Sequence, residues 1–555
     1  MSIRAYIRLG RWVAFLSACL WITSTARAHA EWQFAVDVPG TQPSQRTIHA
    51  VMWIPPACKH VRGILLAPQQ VILEDKVLQD PTMRTMAAKE DLAFVLLNRD
   101  AVGGFDYKVK RDDLRLQAVL DALAAESGYD EIATAPLITL GHSGGAITAW
   151  NVAYWKPSRM IAVVSLHSAA IPSPAWDPKA NVNGVPILGI SGEYESWGDP
   201  DVPLDMHWRW LRGRLLEYRA SQKEALMSIL VDPGGSHFSF NPPMANYVAM
   251  FVAKALEARA PVLPGVNYGL SPLRHIPLES GWLTDETPLQ EGPNEHPAAP
   301  YAQYTGDPSL AFWHIDEELA HANEDYRRSD RGKLDQRVTC GVGGKMADAV
   351  WLEDLPFEPE FEADGSVTVH IQGGFLAETP AGVAGSGKPL GHADGPIQFS
   401  LIGGWNGGGK QIGPNSFALV PGHLGLSDNL MVLAYHPGDA RYAYAEQPCQ
   451  VKWPKVNQAG KPQTIDFEPL ADQNLSAKEI QLHAKSSSRR SVHFYIAQGP
   501  AEIEGNTLVF TPVPPRTKMP VKVTVVAYQW GTTQEPAVQS AKPVERSFFL
   551  TAAQP

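Results

Sequence analysis

Two textures of apolar and polar residues divide this chain. From about residue 30 to 262, short apolar runs alternate with stretches of helical period. EWQFAVDV and RTIHAVMWIP predict an opening hairpin, RGILLAP a buried strand, Thr82–Lys89 a helix and LAFVLLN a further strand. RDDLRLQAVLDALAA has apolar residues at helical spacing, with Asp112 and Asp113 in the first turn, where the helix dipole favours acids. IAVVSLH, VPILGIS and ALMSILVDP predict strands; LDMHWRWLRGRLLEYRA and MANYVAMFVAKALEA predict helices. Continuous apolar strands alternating with helices imply a mostly parallel sheet covered on both faces.

Beyond this α/β unit, residues 263–310 are rich in Pro, Gly and Glu, have no sustained period and read as a linker or wrapping segment, within a linker and helical connecting segment expected over 263–345. Residues 346–455 change to short alternating runs between turn signals, among them GSVTVHIQGGF, PIQFSLIGGW and LMVLAYH, which predict a β-rich domain. Residues 456–555 carry another set, KEIQLHA, SVHFYIA, NTLVF and PVKVTVVAYQW, which predicts an immunoglobulin-like sandwich.

One strand of the first unit runs into candidate chemistry. Residues 137–146 read LITLGHSGGA, and Gly141-His142-Ser143-Gly144-Gly145 fits the G-x-S-x-G elbow. There a strand turns abruptly into a helix and leaves the serine hydroxyl exposed at the sheet edge. A serine that merely caps the helix AITAWNVAYW is the plainer alternative. A serine hydroxyl is a poor nucleophile at neutral pH, so Ser143 predicts a histidine base and a carboxylate, following in the order Ser, acid, His. The strand VPILGIS ends at Gly192, and Glu195, three residues on, is the expected acid, with Glu193 and Asp199 as alternatives. His237, in DPGGSHFSF after ALMSILV, is the expected base. Elbow geometry turns His142 away from Ser143 into packing, and His167 is expected to line the site. The oxyanion donors are expected to be the N–H of Gly144, at a helix N-terminus, and of Gln69 or, second, Gln70, because Pro68 has none.

On GHSGG, GEYE and GGSHF, in that order at strand ends, residues 30–262 resemble the α/β-hydrolase superfamily, and within it secreted esterases, including those acting on polysaccharide acyl groups, more than peptidases. The resemblance implies a sheet of that type, a Ser-His-Glu triad and no cofactor. Two departures stand out: Ala67-Pro68 replaces the usual His-Gly after the oxyanion strand, and the acid is Glu rather than Asp. The tail is similar to β-sandwich modules appended to exported bacterial hydrolases.

The N-terminus adds a compartment. Arg4, Arg8 and Arg11, the apolar run WVAFLSACLWIT and Ala26-Arg27-Ala28 predict a secretory signal peptide over 1–28, hence a secreted or periplasmic protein; lipidation at Cys19 is the weaker alternative. Cleavage takes the net charge from −11 to −15, which argues against a nucleic-acid partner. No integral membrane span is expected. Of the remaining cysteines, Cys340 and Cys449 are the expected disulfide, leaving Cys58 as a buried thiol.

Other signals are weaker. GVAGSGK at 382–388 lacks the Ser or Thr of a phosphate-binding loop. His314, Glu318 and His321 could share one helix face in FWHIDEELAH, but a solvated amphipathic face explains them better, and no metal is expected. Trp197, Trp208 and Trp210, after the acid strand, could stack on a sugar or simply pack; Trp197 joins Gln70, His142, His167 and Glu193 as the candidate substrate-lining residues. The leading expectation is therefore a serine esterase acting on a small-molecule or polysaccharide ester. Exopeptidase or lactonase chemistry on the same triad, and a glycan-binding protein with a degenerate hydrolase unit, are the alternatives.

Overall fold

The computed structural model describes residues 32–552 except 44, 69–72, 99–101, 173–176, 178–180, 196–202, 204–205, 261–271, 286–294, 348–351, 381–384, 404–407, 422–428 and 453–456. Eight strands form the first sheet: β1 (Phe34–Val38), β2 (Ile48–Trp53), β3 (Gly63–Pro68), β4 (Leu92–Leu97), β5 (Leu137–His142), β6 (Met160–Leu166), β7 (Pro186–Gly192) and β8 (Leu226–Asp232). Their order is β1-β2-β4-β3-β5-β6-β7-β8. β1 and β2 form the antiparallel hairpin, β2 pairs antiparallel with β4, and every later pair is parallel. This is the mostly parallel sheet, covered by helices on both faces, that the alternating pattern predicts.

Why the apolar runs are continuous is plain from the packing. Every residue of β3 to β8 is buried. Ile64 and Leu66 of β3 face one core, with α3 (Asp112–Ser127), α4 (Gly145–Trp155) and α5 (Met206–Ser221). Leu65 and Ala67 face the other, with α1 (Leu73–Gln79), α2 (Pro81–Glu90) and α6 (Pro242–Arg259). Strand alternation thus divides the side chains between two helical layers. No described helix is long and apolar enough to cross a membrane.

The segment after α6 wraps this unit. β9 (Trp282–Thr284), β10 (Ala299–Pro300) and β11 (Phe312–His314) make a small antiparallel sheet, and α7 (Glu317–Arg328) follows. Ser228 Oγ of β8 donates to the Trp313 carbonyl, and Asn323 Nδ2 of α7 donates to the Ile229 carbonyl at 2.6 Å. His314 therefore sits on a strand, correcting the shared helix face: it is buried against Thr284 Oγ1 at 2.8 Å, whereas Glu318 pairs with Lys254 and His321 with Glu324. The apolar FWH run is buried as strand before the helix begins at its Asp316 cap.

The remainder is β-rich. Strands Gln398–Leu401, Asn429–His436, Ala445–Lys452 and Glu353–Leu355 form one sheet, and its neighbours share a core containing Val369, Phe417, Val432 and Val451. The expected disulfide joins Cys340 to Cys449, and Cys58 is a buried free thiol. The last strands, including His493–Gln498, Val521–Tyr528 and Val544–Thr551, pack around Phe467, Phe494, Val523 and Phe548. Both β-rich groups touch the first unit. Ile402, Met431 and Leu433 enter its second core, and Arg516 reaches Glu131 at 2.8 Å.

Candidate functional site

Parallel strands bring their carboxyl ends to one edge, which is where open α/β sheets collect chemistry. Ser143 follows β5, His167 follows β6, Glu195 lies past β7 and His237 lies past β8. The ladder continues into the loops: Ser143 N donates to the Leu166 carbonyl at 2.9 Å and His167 N to the Ile190 carbonyl at 2.7 Å. Ser143 and His167 both have left-handed backbones, with φ of 53° and 51°. Such a conformation costs a non-glycine residue about 1–2 kcal/mol, and retained strain of this kind clusters at working sites. A Cβ on Gly141 would lie 2.3 Å from the Gly145 carbonyl oxygen, so the elbow closes only with glycine there. Ser143 is half-buried, and Gly144, exposed, caps α4.

Glu195 is the centre of the cluster. It is fully buried, and its Oε1 accepts from His167 Nδ1 at 2.5 Å, from Ser191 Oγ at 3.1 Å and from Gly192 N. Its Oε2 accepts from His237 Nδ1 at 3.0 Å and lies 3.1 Å from His207 Nδ1. Burial by itself would raise this carboxyl, but the imidazoles of His167 and His207 and its hydrogen bonds outweigh that, holding it well below the usual carboxylate range.

Burial and neighbouring charge act differently on three adjacent histidines. His237 is lowered, first by burial, then by the nearby imidazoles, against the pull of Glu195. His142 is lowered well below its ordinary value, chiefly by burial. Its Nε2 faces the His237 carbonyl at 2.7 Å, so that nitrogen carries the proton, and its ring lies 4.7 Å from the His237 ring. His142 thus holds the backbone of His237 as well as packing. His167 is raised: burial opposes its charge, yet Glu195 more than compensates. Its Nδ1 faces that carboxylate and its Nε2 the Ser239 carbonyl at 2.8 Å, so both nitrogens meet acceptors, the pattern of an imidazolium.

Glu193 points elsewhere. Its Oε2 accepts from Gly234 N at 2.9 Å, and burial pushes its carboxyl up to about 7. Trp208 is buried in the core under the Arg209 guanidinium, while Trp210 is half exposed. Gln69, Gln70, Trp197 and Asp199 lie outside the described residues, as do 1–31 with the signal segment and Cys19. His207 was invisible to motif spacing; its one signal is its place in the helix after the acid loop.

No protein-family model matches the chain, and no curated protein does. Among solved structures it is similar to an alpha-beta serine hydrolase homologue from Coxiella burnetii, at 18% identity over 40% of this chain and 97% of that one, TM-score 0.26. It is also similar to a poly(3-hydroxybutyrate) depolymerase from Bordetella parapertussis, at 12% identity over 40% and 89%, TM-score 0.29. An S-formylglutathione hydrolase from Agrobacterium tumefaciens matches at 14% identity over 40% and 92%, TM-score 0.29.

Proposed function

We propose that this chain is an exported serine hydrolase of carboxylic esters, with Ser143 as nucleophile, His237 as base and Glu195 as the acid that orients it. The observation that carries the proposal is the bond from His237 Nδ1 to a saturated, ionised Glu195, beside a serine held in a left-handed elbow. With Nδ1 donating to Glu195, His237 Nε2 is the ring atom able to take a proton. Ser143 Oγ attacks the ester carbonyl as its proton passes to Nε2. The tetrahedral oxyanion is stabilised by Gly144 N–H and, in this proposal, Gln69 N–H. The proton then goes to the departing alcohol, leaving an acyl-serine, and water repeats the sequence to release the acid and restore Ser143. Burial of His237 favours the neutral imidazole that a base must be.

The ester is proposed to be small or borne on a polysaccharide, which rests on the signal segment, the β-rich half and the exposed Trp210. Turnover of a panel of acyl esters, aminoacyl amides and lactones by wild type and Ser143→Ala tests this. Ester cleavage lost in Ser143→Ala is expected. Amide or lactone cleavage alone would move the reaction class, and a folded wild type inert on every panel member would favour a binding role.

A further inference from the structure

The loop that carries His237 is held from outside its own unit. Glu446, on strand Ala445–Lys452 of the β-rich half, directs Oε1 at the two serines that bracket the histidine. That oxygen accepts from Ser236 N at 2.7 Å, from Ser236 Oγ at 2.6 Å and from Ser239 Oγ at 2.7 Å. Its Oε2 accepts from Tyr444 OH at 2.5 Å. The contact is intimate: a Cβ on Gly234 would lie 2.1 Å from the Tyr444 carbonyl oxygen. On the near side the same loop is tied by Asp232, which accepts from Asn241 Nδ2 and whose Oδ2 lies 2.7 Å from the same Ser239 Oγ, and by Tyr194 N donating to the Gly235 carbonyl. Glu446 supplies the outer half of this clamp, 210 residues on from Ser236.

We propose that Glu446 is a positioning residue for His237, so that the β-rich half completes the catalytic site instead of merely being attached to it. The inference rests on the triad reading above. A glue residue would stabilise the junction between the halves and leave the chemistry alone. A positioning residue fixes where the imidazole sits, and a displacement of about 1 Å in such a group can cost on the order of 10²-fold in rate.

The test compares full-length wild type, Glu446→Ala and Glu446→Gln. It reads kcat and KM on an acyl ester such as p-nitrophenyl acetate, the thermal midpoint, and backbone amide exchange over residues 233–240. Glu446→Ala is expected to lower kcat on the order of 10²-fold with KM changed less than about twofold. It should also speed exchange at 233–240, where Ser236 N–H loses its acceptor. Glu446→Gln keeps an Oε1 acceptor and is expected to restore most of both. Unchanged kcat and exchange in Glu446→Ala would overturn the proposal, as would a loss explained by the unfolded fraction and not rescued by Gln. Should wild type cleave no ester, the function proposal fails separately, and exchange at 233–240 still decides the brace.

Discussion

Gly192 of β7 packs directly against the loop that carries His237. An alanine Cβ there would lie 2.4 Å from the Gly235 carbonyl oxygen, 2.6 Å from the Gly235 carbonyl carbon and 2.8 Å from the Ser236 carbonyl oxygen. Ordinary contact begins near 3.4 Å, and the obstructing atoms are backbone, so the loop must withdraw by about 1 Å. Two bonds that stitch the segments resist this, Tyr194 N to the Gly235 carbonyl and Glu193 N to the Asp232 carbonyl, each at 2.9 Å. Gly192→Ala is therefore expected to lower stability by about 1–3 kcal/mol, the usual cost of overpacking. It should lower kcat on the order of 10²-fold while leaving KM nearly unchanged, because the displaced imidazole acts in the chemical step. Steady-state kinetics on an ester that wild type cleaves, with a thermal melt to establish folding, measures both. Gly213→Ala on α5 is the control, since its Cβ would meet nothing within 4 Å. A folded Gly192→Ala enzyme with wild-type kcat would refute the claim that this approach sets the geometry of the site.

Three further outcomes follow from the structure. His167→Asn removes a buried positive charge whose ring lies 6.1 Å from that of His237, so the acidic limb of kcat/KM should move to higher pH; an unmoved limb would contradict an imidazolium at 167. Glu193 is pushed from 4.5 to about 7 by burial, so the folded state holds its proton through that window and stability falls as pH rises across it. Glu193→Gln should flatten part of that slope in melts taken between about pH 4.5 and 7, and identical slopes would refute the assignment. The Cys340–Cys449 bridge closes a sequence separation of 109 residues, so Cys449→Ser should cost about 2–5 kcal/mol; an unshifted thermal midpoint would contradict it.

Much of the first unit was legible because β3 to β8 are buried on both faces, and burial writes itself as unbroken apolar runs such as LAFVLL and PILGISG. Glu195 was legible as a candidate for the same reason: a loop at a strand's carboxyl end must sit at the shared edge. His207 was not, because its helix carries mixed polar and apolar residues and nothing local says that its imidazole turns toward Glu195. Glu446 was further out of reach. It lies on AEQPCQVK, a run with weak alternation, and its partners are set by how two units dock. His314 misled through its neighbours. The polar face of IDEELAH reads as helix from the start, yet the apolar FWH pairs with β9 and buries the histidine before that helix begins.

The claim on which the account depends is that Ser143 is an activated nucleophile, and a fluorophosphonate probe reads that property directly. Full-length wild type should acquire one adduct, mapped by peptide sequencing to Ser143, and Ser143→Ala should acquire none. Labelling that persists in Ser143→Ala, or a folded wild type that the probe never modifies, would contradict the account.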